Sequence, residues 1–355
     1  MDELNILYHE IHSNNLEIMN LINKQYLLLS QYITANETDC HEKYLIKEML
    51  QKIINSNDDE INNKLVKEIF LKILDSIPGY IGTDNGKKLL VSGKANIKFN
   101  KIHEMFNVPK DLPVVVAGPC AIESIECLDI VARSLMKNNV RFIRGGAYKP
   151  RTSPYDFQGL KEEALKILYQ VSKRYDLISV TEVVDTRDVE RVISYTDILQ
   201  IGTRNMQNYE LLKEVGKTNH PVILKRGMSA TLNEFMLAAE YMAIQGNRNI
   251  ILCERGIRTF ETKTRNTLDI SCIPIIKNET DLPIIVDLSH SLGRKDIVTP
   301  IAKSILAAGA DGVMLEVHPN PDIALSDSKQ QLNIDEFENF LRAINKSVLM
   351  LKLLR

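Results

Sequence analysis

From residue 113 onward, short apolar runs alternate with longer stretches in which apolar side chains recur every three or four positions. Runs of three to five mostly apolar residues read as strands buried on both faces, and the longer periodic stretches read as helices with one face on a core. The runs lie at 113–117, 141–143, 177–181, 198–202, 222–224, 250–253, 284–287 and 313–315. Helices are expected between and after them, at 123–137, 160–174, 186–194, 207–215, 230–245, 266–272, 296–308 and 333–351. Gly309-Ala-Asp-Gly312 marks the turn into the last strand. Eightfold strand–helix alternation predicts an α/β fold, a (β/α)8 barrel over residues 113–355, about the length that such a barrel needs.

The first 85 residues follow a different rhythm. A long apolar–polar repeat at 3–34 predicts one helix. Tyr44, Leu45, Met49, Leu50, Ile53 and Ile54 share one face of a second, at 41–55. Ile61, Leu65, Val66, Ile69, Phe70, Ile73 and Leu74 give a third stripe, which Pro78-Gly79 ends. Residues 1–85 therefore read as a small all-α domain. Residues 86–112 read as a linker, in which Leu89-Leu-Val-Ser-Gly and Ala95-Asn-Ile-Lys-Phe are expected to pair as a hairpin across Gly93.

Composition narrows the partners. A formal charge of −2 gives no basis for binding nucleic acid or a membrane surface, so any anion site must be a local cluster of cations. No apolar run approaches the length of a membrane span. Met1-Asp-Glu-Leu-Asn-Ile lacks the basic start of a signal peptide, which predicts a cytoplasmic protein. Five cysteines without paired spacing predict no disulfide framework.

The chemistry gathers where the strands end. Cys120, Arg144, Glu182, Arg204, Lys225, Arg255, His290 and Glu316 each follow or finish one apolar run. In a barrel of this kind those ends converge on one face, where active sites are built. Cys120, His290, Glu316 and the nearby Asp327 offer one sulfur, one nitrogen and two oxygen donors. That mixture suits one divalent first-row ion (Mn, Fe, Co or Zn) better than Mg or Ca. Such an ion acts as a Lewis acid on a carbonyl oxygen. Taken alone, Cys120 reads more readily as a buried structural thiol, and it is the coincidence of four donors that argues for a metal. Arg144-Gly-Gly-Ala-Tyr-Lys149-Pro-Arg151-Thr152-Ser153 concentrates three cations and two hydroxyls within ten residues. Arginine forks match phosphate and carboxylate oxygens. With Arg204, Lys225 and Arg255 this makes six cations, which would repel one another unless an anion lay among them. The bland alternative is a solvated charged rim, which would not place six cations at matched strand ends.

These motifs resemble a known family. Gly118-Pro-Cys120-Ala-Ile-Glu-Ser, the Arg144 stretch, Ile201-Gly-Thr-Arg-Asn-Met-Gln-Asn, Leu224-Lys-Arg-Gly, Cys253-Glu-Arg-Gly-Ile-Arg-Thr, Asp287-Leu-Ser-His-Ser and Leu325-Ser-Asp-Ser look like 3-deoxy-D-arabino-heptulosonate 7-phosphate (DAHP) synthase of type I beta. The resemblance spans roughly residues 88–355. It implies condensation of phosphoenolpyruvate with erythrose 4-phosphate and water, the opening step of the shikimate pathway. By motif, it implies Cys120, His290, Glu316 and Asp327 as metal ligands. Arg204, Lys225 and Arg255 would meet the phosphate of phosphoenolpyruvate, and Arg144 and Lys149 its carboxylate. Arg151 and Thr152 would hold the phosphate of the sugar. Lys149, Glu182 and His290 are the catalytic candidates, with Glu182 near the attacking water. Thr203 stands where Ala is usual and Ser289 where Thr is usual, and neither change removes a charge or a ligand. Cys127, Cys253 and Cys272 match no ligand position and read as packing residues. The resemblance also implies a homo-oligomer. The rival sister barrel, 3-deoxy-octulosonate 8-phosphate synthase, usually has an Ala-Asn-Arg-Ser-type turn where this chain has Lys149-Pro-Arg-Thr-Ser. A barrel that has lost catalysis should lack some ligands, and none is missing.

The N-terminal helices resemble, weakly, the all-helical chorismate mutase fused to some of these synthases. That mutase grips a dicarboxylate with arginines, whereas this chain has no Arg before Arg133. Tyr8, Gln25, Leu45 and Ile46 stand at the corresponding positions. Seven Lys against fourteen Asp and Glu over residues 1–85 also oppose an anionic ligand. The expectation is a degenerate mutase fold kept for packing or assembly, with a bifunctional synthase–mutase as the alternative.

Overall fold

Each apolar run becomes a strand: β1 (Val114–Gly118), β2 (Phe142–Arg144), β3 (Ile178–Val183), β4 (Ile198–Ile201), β5 (Val222–Lys225), β6 (Ile250–Glu254), β7 (Ile284–Asp287) and β8 (Gly312–Glu316). In this computed structural model every strand runs parallel to its neighbours in sequence. β1 closes the ring on β8, from Val114 opposite Gly312 to Gly118 opposite Glu316. The sheet is thus an eight-stranded closed barrel.

The hydrophobicity of the runs has a simple cause. Alternate strand side chains point to opposite faces, and in a closed barrel wrapped by helices both faces are dry. Val116, Phe142, Val180, Ile198, Ile223, Ile251, Ile285 and Met314 fill the interior. Val115, Ala117, Ile143, Leu199, Leu224, Leu252, Val286 and Leu315 belong to the layer shared with the outer helices. At the end where the strands begin, the short helix Ile102–Phe106 closes the barrel. Its Ile102 joins the interior cluster, and the Phe106 ring meets Phe142 edge-on at 5.5 Å between centroids. Residues that read as linker therefore help to make the barrel floor.

The structure describes residues 2–35, 69, 73, 89–93, 97–110, 112–151, 153 and 155–353. Two compact units divide the chain, Met1–Lys88 and Leu89–Arg355. In the first, Asp2–Ala35 is a single helix of 34 residues. Ile69 and Ile73 are helical; Ile73 is buried, whereas Ile69 is 37% exposed. The second expected helix, at 41–55, and the rest of the third stripe lie outside the described residues. Among the described residues, no helix is long and apolar enough to cross a membrane.

Most expected helices form within two or three residues of their anticipated ends, and polar caps set several starts. Ser124 accepts the Cys127 backbone N–H at 3.1 Å before Ile125–Lys137. Thr231 and Glu234 form a reciprocal capping box before Leu232–Ala243. Two expectations fail. The helix expected at 266–272 lies instead at Cys272–Glu279, and Thr267 pairs with Ile257 in an antiparallel bridge. Pro274 sits in the first turn of this helix, where its missing N–H has no intrahelical partner to lose. The hairpin across Gly93 does not form among the described residues. Ser92 bridges Thr280, and the Leu90 and Val91 N–H groups donate to the Glu240 carboxylate at 2.9 and 3.1 Å. A side chain on the barrel's outer helix thus takes the donors that a partner strand would have used.

Candidate active site

The closure of β1 on β8 puts Gly118 opposite Glu316 and so brings the Cys120 loop beside that carboxylate. Cys120 and Glu316 are fully buried. Cys120 Sγ lies 3.0 Å from Ser326 Oγ, 3.2 Å from Asp327 Oδ2 and 3.0 Å from Lys149 Nζ. His290 rides on the short helix Leu288–Leu292, which begins where β7 ends. Asp287 caps that helix: one oxygen accepts the His290 backbone N–H at 3.0 Å, and the other meets His290 Nδ1 at 2.8 Å. The ring's far nitrogen therefore turns inward, 3.4 Å from Glu316 Oε1 and 3.6 Å from Asp327 Oδ2. Ligand atoms of Cys120, His290, Glu316 and Asp327 all fall within 4.8 Å of one another. One thiol, one imidazole oriented by an outer carboxylate and two further carboxylates fit a divalent first-row ion.

The electrostatics of this cluster are strong. Burial alone would lower the pKa of His290, but Asp287 and Glu316 outweigh it and raise it to about 10. Burial would raise the Asp287 and Glu316 carboxyls; His290 with Lys225, and His290 with Arg144, hold them below the usual range instead. Asp327 is likewise held low against its burial, by His290 and Arg265.

The cations fall into two groups. Arg144 donates to Glu316 Oε1 at 2.9 Å, Lys225 pairs with Asp287 at 2.5 Å, and Lys149 donates to the Cys120 carbonyl at 3.1 Å. Burial works against the charge on Lys149, while Cys120 and Glu316 support it, and the balance is a raised pKa. The protein's own acids thus offset part of the repulsion that the sequence pattern implied. Arg204 and Arg255 make no ion pair among the described residues. Arg255 is buried, its pKa lowered by that burial and by the neighbouring Arg265. Arg144 Nε and Arg255 Nε are both buried donors without a protein partner. Guanidinium groups held at this site with incomplete protein pairing suit an anionic ligand.

A cavity of about 210 Å³ opens above the cluster. Its wall brings together the expected Arg144, Lys149, Arg151, Glu182, Arg204 and Lys225, with Arg255, His290 and Asp327 completing the set. Cys120 and Glu316 sit behind the wall. Arg151 donates to the Phe157 carbonyl at 3.1 Å and also to Ser326 Oγ. Thr152 lies outside the described residues. Glu182 accepts from Gln200 at 3.2 Å, and its carboxylate lies against Gly202. A Cβ on Gly202 would be 1.9 Å from Glu182 Oε1, so a side chain there would push the acid out of this position.

Arg258, Arg265 and Asn266 also line the cavity, and the strand-end pattern does not reveal them. They lie in the long loop after β6, pinned by the Ile257–Thr267 bridge. Two polar side chains that support the cluster from outside, Asp287 and Gln330, were equally without an assigned role. The first carried a signal, since it opens the Asp287-Leu-Ser-His motif; the second carried none.

Comparison with known proteins gives one consistent answer. Residues 97–352 match the DAHP synthetase I family. A phospho-2-dehydro-3-deoxyheptonate aldolase of Thermotoga maritima is 52% identical over 232 residues, 65% of this chain and 69% of that protein. The crystal structure of the Thermotoga maritima DAHP synthase superposes with a TM-score of 0.70 at 48% identity, covering 73% of this chain and 76% of that one. A 2-dehydro-3-deoxyphosphooctonate aldolase of Granulibacter bethesdensis is more distant, 29% identical over 282 residues, 74% of this chain and 95% of that protein.

Proposed function

The chain belongs to the DAHP synthetase I family, and we propose that it joins phosphoenolpyruvate to erythrose 4-phosphate, with water, to give DAHP and inorganic phosphate. The observation that carries this reading is the juxtaposition of a four-donor cluster with a cavity lined by Arg144, Lys149, Arg151, Arg204, Lys225 and Arg255. Cys120, His290, Glu316 and Asp327 would hold one divalent ion of the Mn, Fe, Co or Zn type. When bound, that ion supplies Lewis-acid polarisation of a carbonyl oxygen.

The rest of the chemistry falls to side chains. Arg204, Lys225 and Arg255 bind the phosphate of phosphoenolpyruvate and stabilise the charge that grows on it as it leaves. Arg144 and Lys149 take its carboxylate, which fixes the plane of the enol ester. Arg151 and Thr152 hold the distal phosphate of the sugar, so that the aldehyde faces C3 of phosphoenolpyruvate. Binding both partners in register lowers the entropic part of the barrier. C3 then bonds to the aldehyde carbon, water adds at C2, and the C2–O bond to phosphate breaks. Glu182, whose carboxylate lies against Gly202 at the β4 end, would orient that water and take its proton. Lys149, close to Cys120, would manage the proton balance at the aldehyde oxygen.

The sister reaction with arabinose 5-phosphate is disfavoured by the Lys149-Pro-Arg-Thr turn and by the lower identity of relatives named for it. Residues 1–85 we read as non-catalytic, a mutase-like helical domain kept for packing or assembly in a cytoplasmic homo-oligomer. Supplying the purified chain with phosphoenolpyruvate and each aldose in turn separates the two reactions. Phosphate release and a seven-carbon product are expected with erythrose 4-phosphate; faster turnover with arabinose 5-phosphate would reject the assignment.

A further inference from the structure

Gln330 stands at a junction that the condensation mechanism does not use. It lies in the 3-10 turn Ser328–Gln330, directly after Asp327, and is only 4% exposed. Its amide nitrogen donates to Glu316 Oε2 at 2.6 Å, and its amide oxygen accepts from Arg265 Nη1 at 2.7 Å. The same Arg265 nitrogen lies 3.3 Å from Asp327 Oδ1. One amide and one guanidinium thus connect the two carboxylates of the four-donor cluster from behind.

Arg265 is itself held in place. Its backbone N–H donates to the Leu292 carbonyl at 2.9 Å, on the helix that carries His290. The next residue, Asn266, donates from its backbone to Ser291 O and from its side chain to His290 O, both at 2.8 Å. Gly293 ends that helix at φ +67, and a Cβ there would lie 2.5 Å from the Cβ of Arg265. The loop after β6 is therefore fitted against the helix of one ligand and reaches across to the loops of two others. Glu316 is pinned at three points: its N–H on Ser289 Oγ at 2.8 Å, Oε1 on Arg144 at 2.9 Å and Oε2 on Gln330.

We propose that Gln330, acting with Arg265, is a positioning residue that presets Glu316 and Asp327 for the metal ion and thereby sets its affinity. This rests on reading Cys120, His290, Glu316 and Asp327 as the ligands. The amide serves both contacts at once, because its nitrogen donates to a carboxylate while its oxygen accepts from a guanidinium. Glutamate would face Glu316 with a second acceptor, and leucine would leave both neighbours unpaired. Partners of this outer kind typically change metal affinity roughly 10–100-fold when removed.

The test uses the full chain, stripped of metal and titrated with Co²⁺ against a chromophoric chelator, with the thiolate–cobalt absorption as a second readout. Gln330→Leu should weaken Co²⁺ binding by roughly 10–100-fold, measured well below the thermal midpoint of the metal-free variant so that the folded protein is what is titrated. Arg265→Met, at a side chain 39% exposed, should weaken it in the same direction. Cys120→Ala should abolish the thiolate band. If Cys120→Ala binds Co²⁺ as the parent does, the ligand reading itself falls. If Cys120→Ala loses the band while Gln330→Leu and Arg265→Met bind as the parent does, the positioning role alone is overturned. A Gln330→Leu chain that unfolds earlier without metal, beside an Arg265→Met chain of unchanged affinity, makes Gln330 merely structural and also overturns it.

Discussion

His290 shows how much of the site is decided around a residue rather than at it. The sequence marks it as a ligand because it follows a strand; its charge is decided by Asp287 and Glu316. Half-buried on the cavity wall and facing those carboxylates, its pKa is raised from 6.5 to about 10 in the metal-free chain. Because the folded value is the higher one, this group stabilises the metal-free fold fully below about pH 6.5, and the contribution is lost as pH rises through about 10. A metal takes the neutral ring, so binding must expel this proton, and affinity should climb with pH across the same window. Nitrogen-15 NMR of the metal-free protein should find His290 as an imidazolium at about pH 8; a neutral ring there would contradict the electrostatics. At this scale the strand-end residues were legible because a charged or ligating side chain interrupts an apolar run. Arg265 and Gln330 were not, because loops bring them in and nothing in their local spacing says so; Arg258 stood inside the Cys253-Glu-Arg-Gly-Ile-Arg-Thr motif but carried no assigned role.

Among elements, the strands were the clearest part of the sequence. A barrel strand is mostly apolar on both faces, so its run stands out from the periodic stretches beside it, and all eight runs became strands. Helix ends were set by caps such as Ser124 and Thr231. The helix misplaced at 266–272 shows the limit, since a proline is permitted in a first turn and the residues before it were recruited to a bridge with Ile257. The missing hairpin shows another. Residues 89–93 look capable of pairing, but Glu240 on the helix Leu232–Ala243 takes two of their N–H groups. Glu240→Ala should therefore release this segment and destabilise the barrel by about 1–3 kcal/mol, the cost of stranding partly buried donors. Denaturant unfolding would measure it. An unchanged midpoint would mean that the segment finds other partners at no cost.

At the scale of the molecule, the two units differ in charge chemistry. The barrel sets six arginines (Arg144, Arg151, Arg204, Arg255, Arg258 and Arg265) around one cavity, while residues 1–85 hold none and carry a net negative charge. A rearrangement catalyst for a dicarboxylate needs the bidentate contacts that Arg makes well and Lys poorly. The intact chain should not consume chorismate, and a rate of about 1 per second or more would overturn the reading of this domain. For the barrel, the central claim is that four strand-end donors and the cations beside them form one metal-dependent condensing site. Its most direct test follows phosphate release from phosphoenolpyruvate and erythrose 4-phosphate before stripping with chelator, after stripping, and after returning Mn²⁺ or Co²⁺, in the parent chain and in Cys120→Ala. The parent should lose turnover on stripping and regain it with metal, and Cys120→Ala should recover little. Full turnover in the stripped parent, or near-normal turnover in Cys120→Ala, would contradict the account.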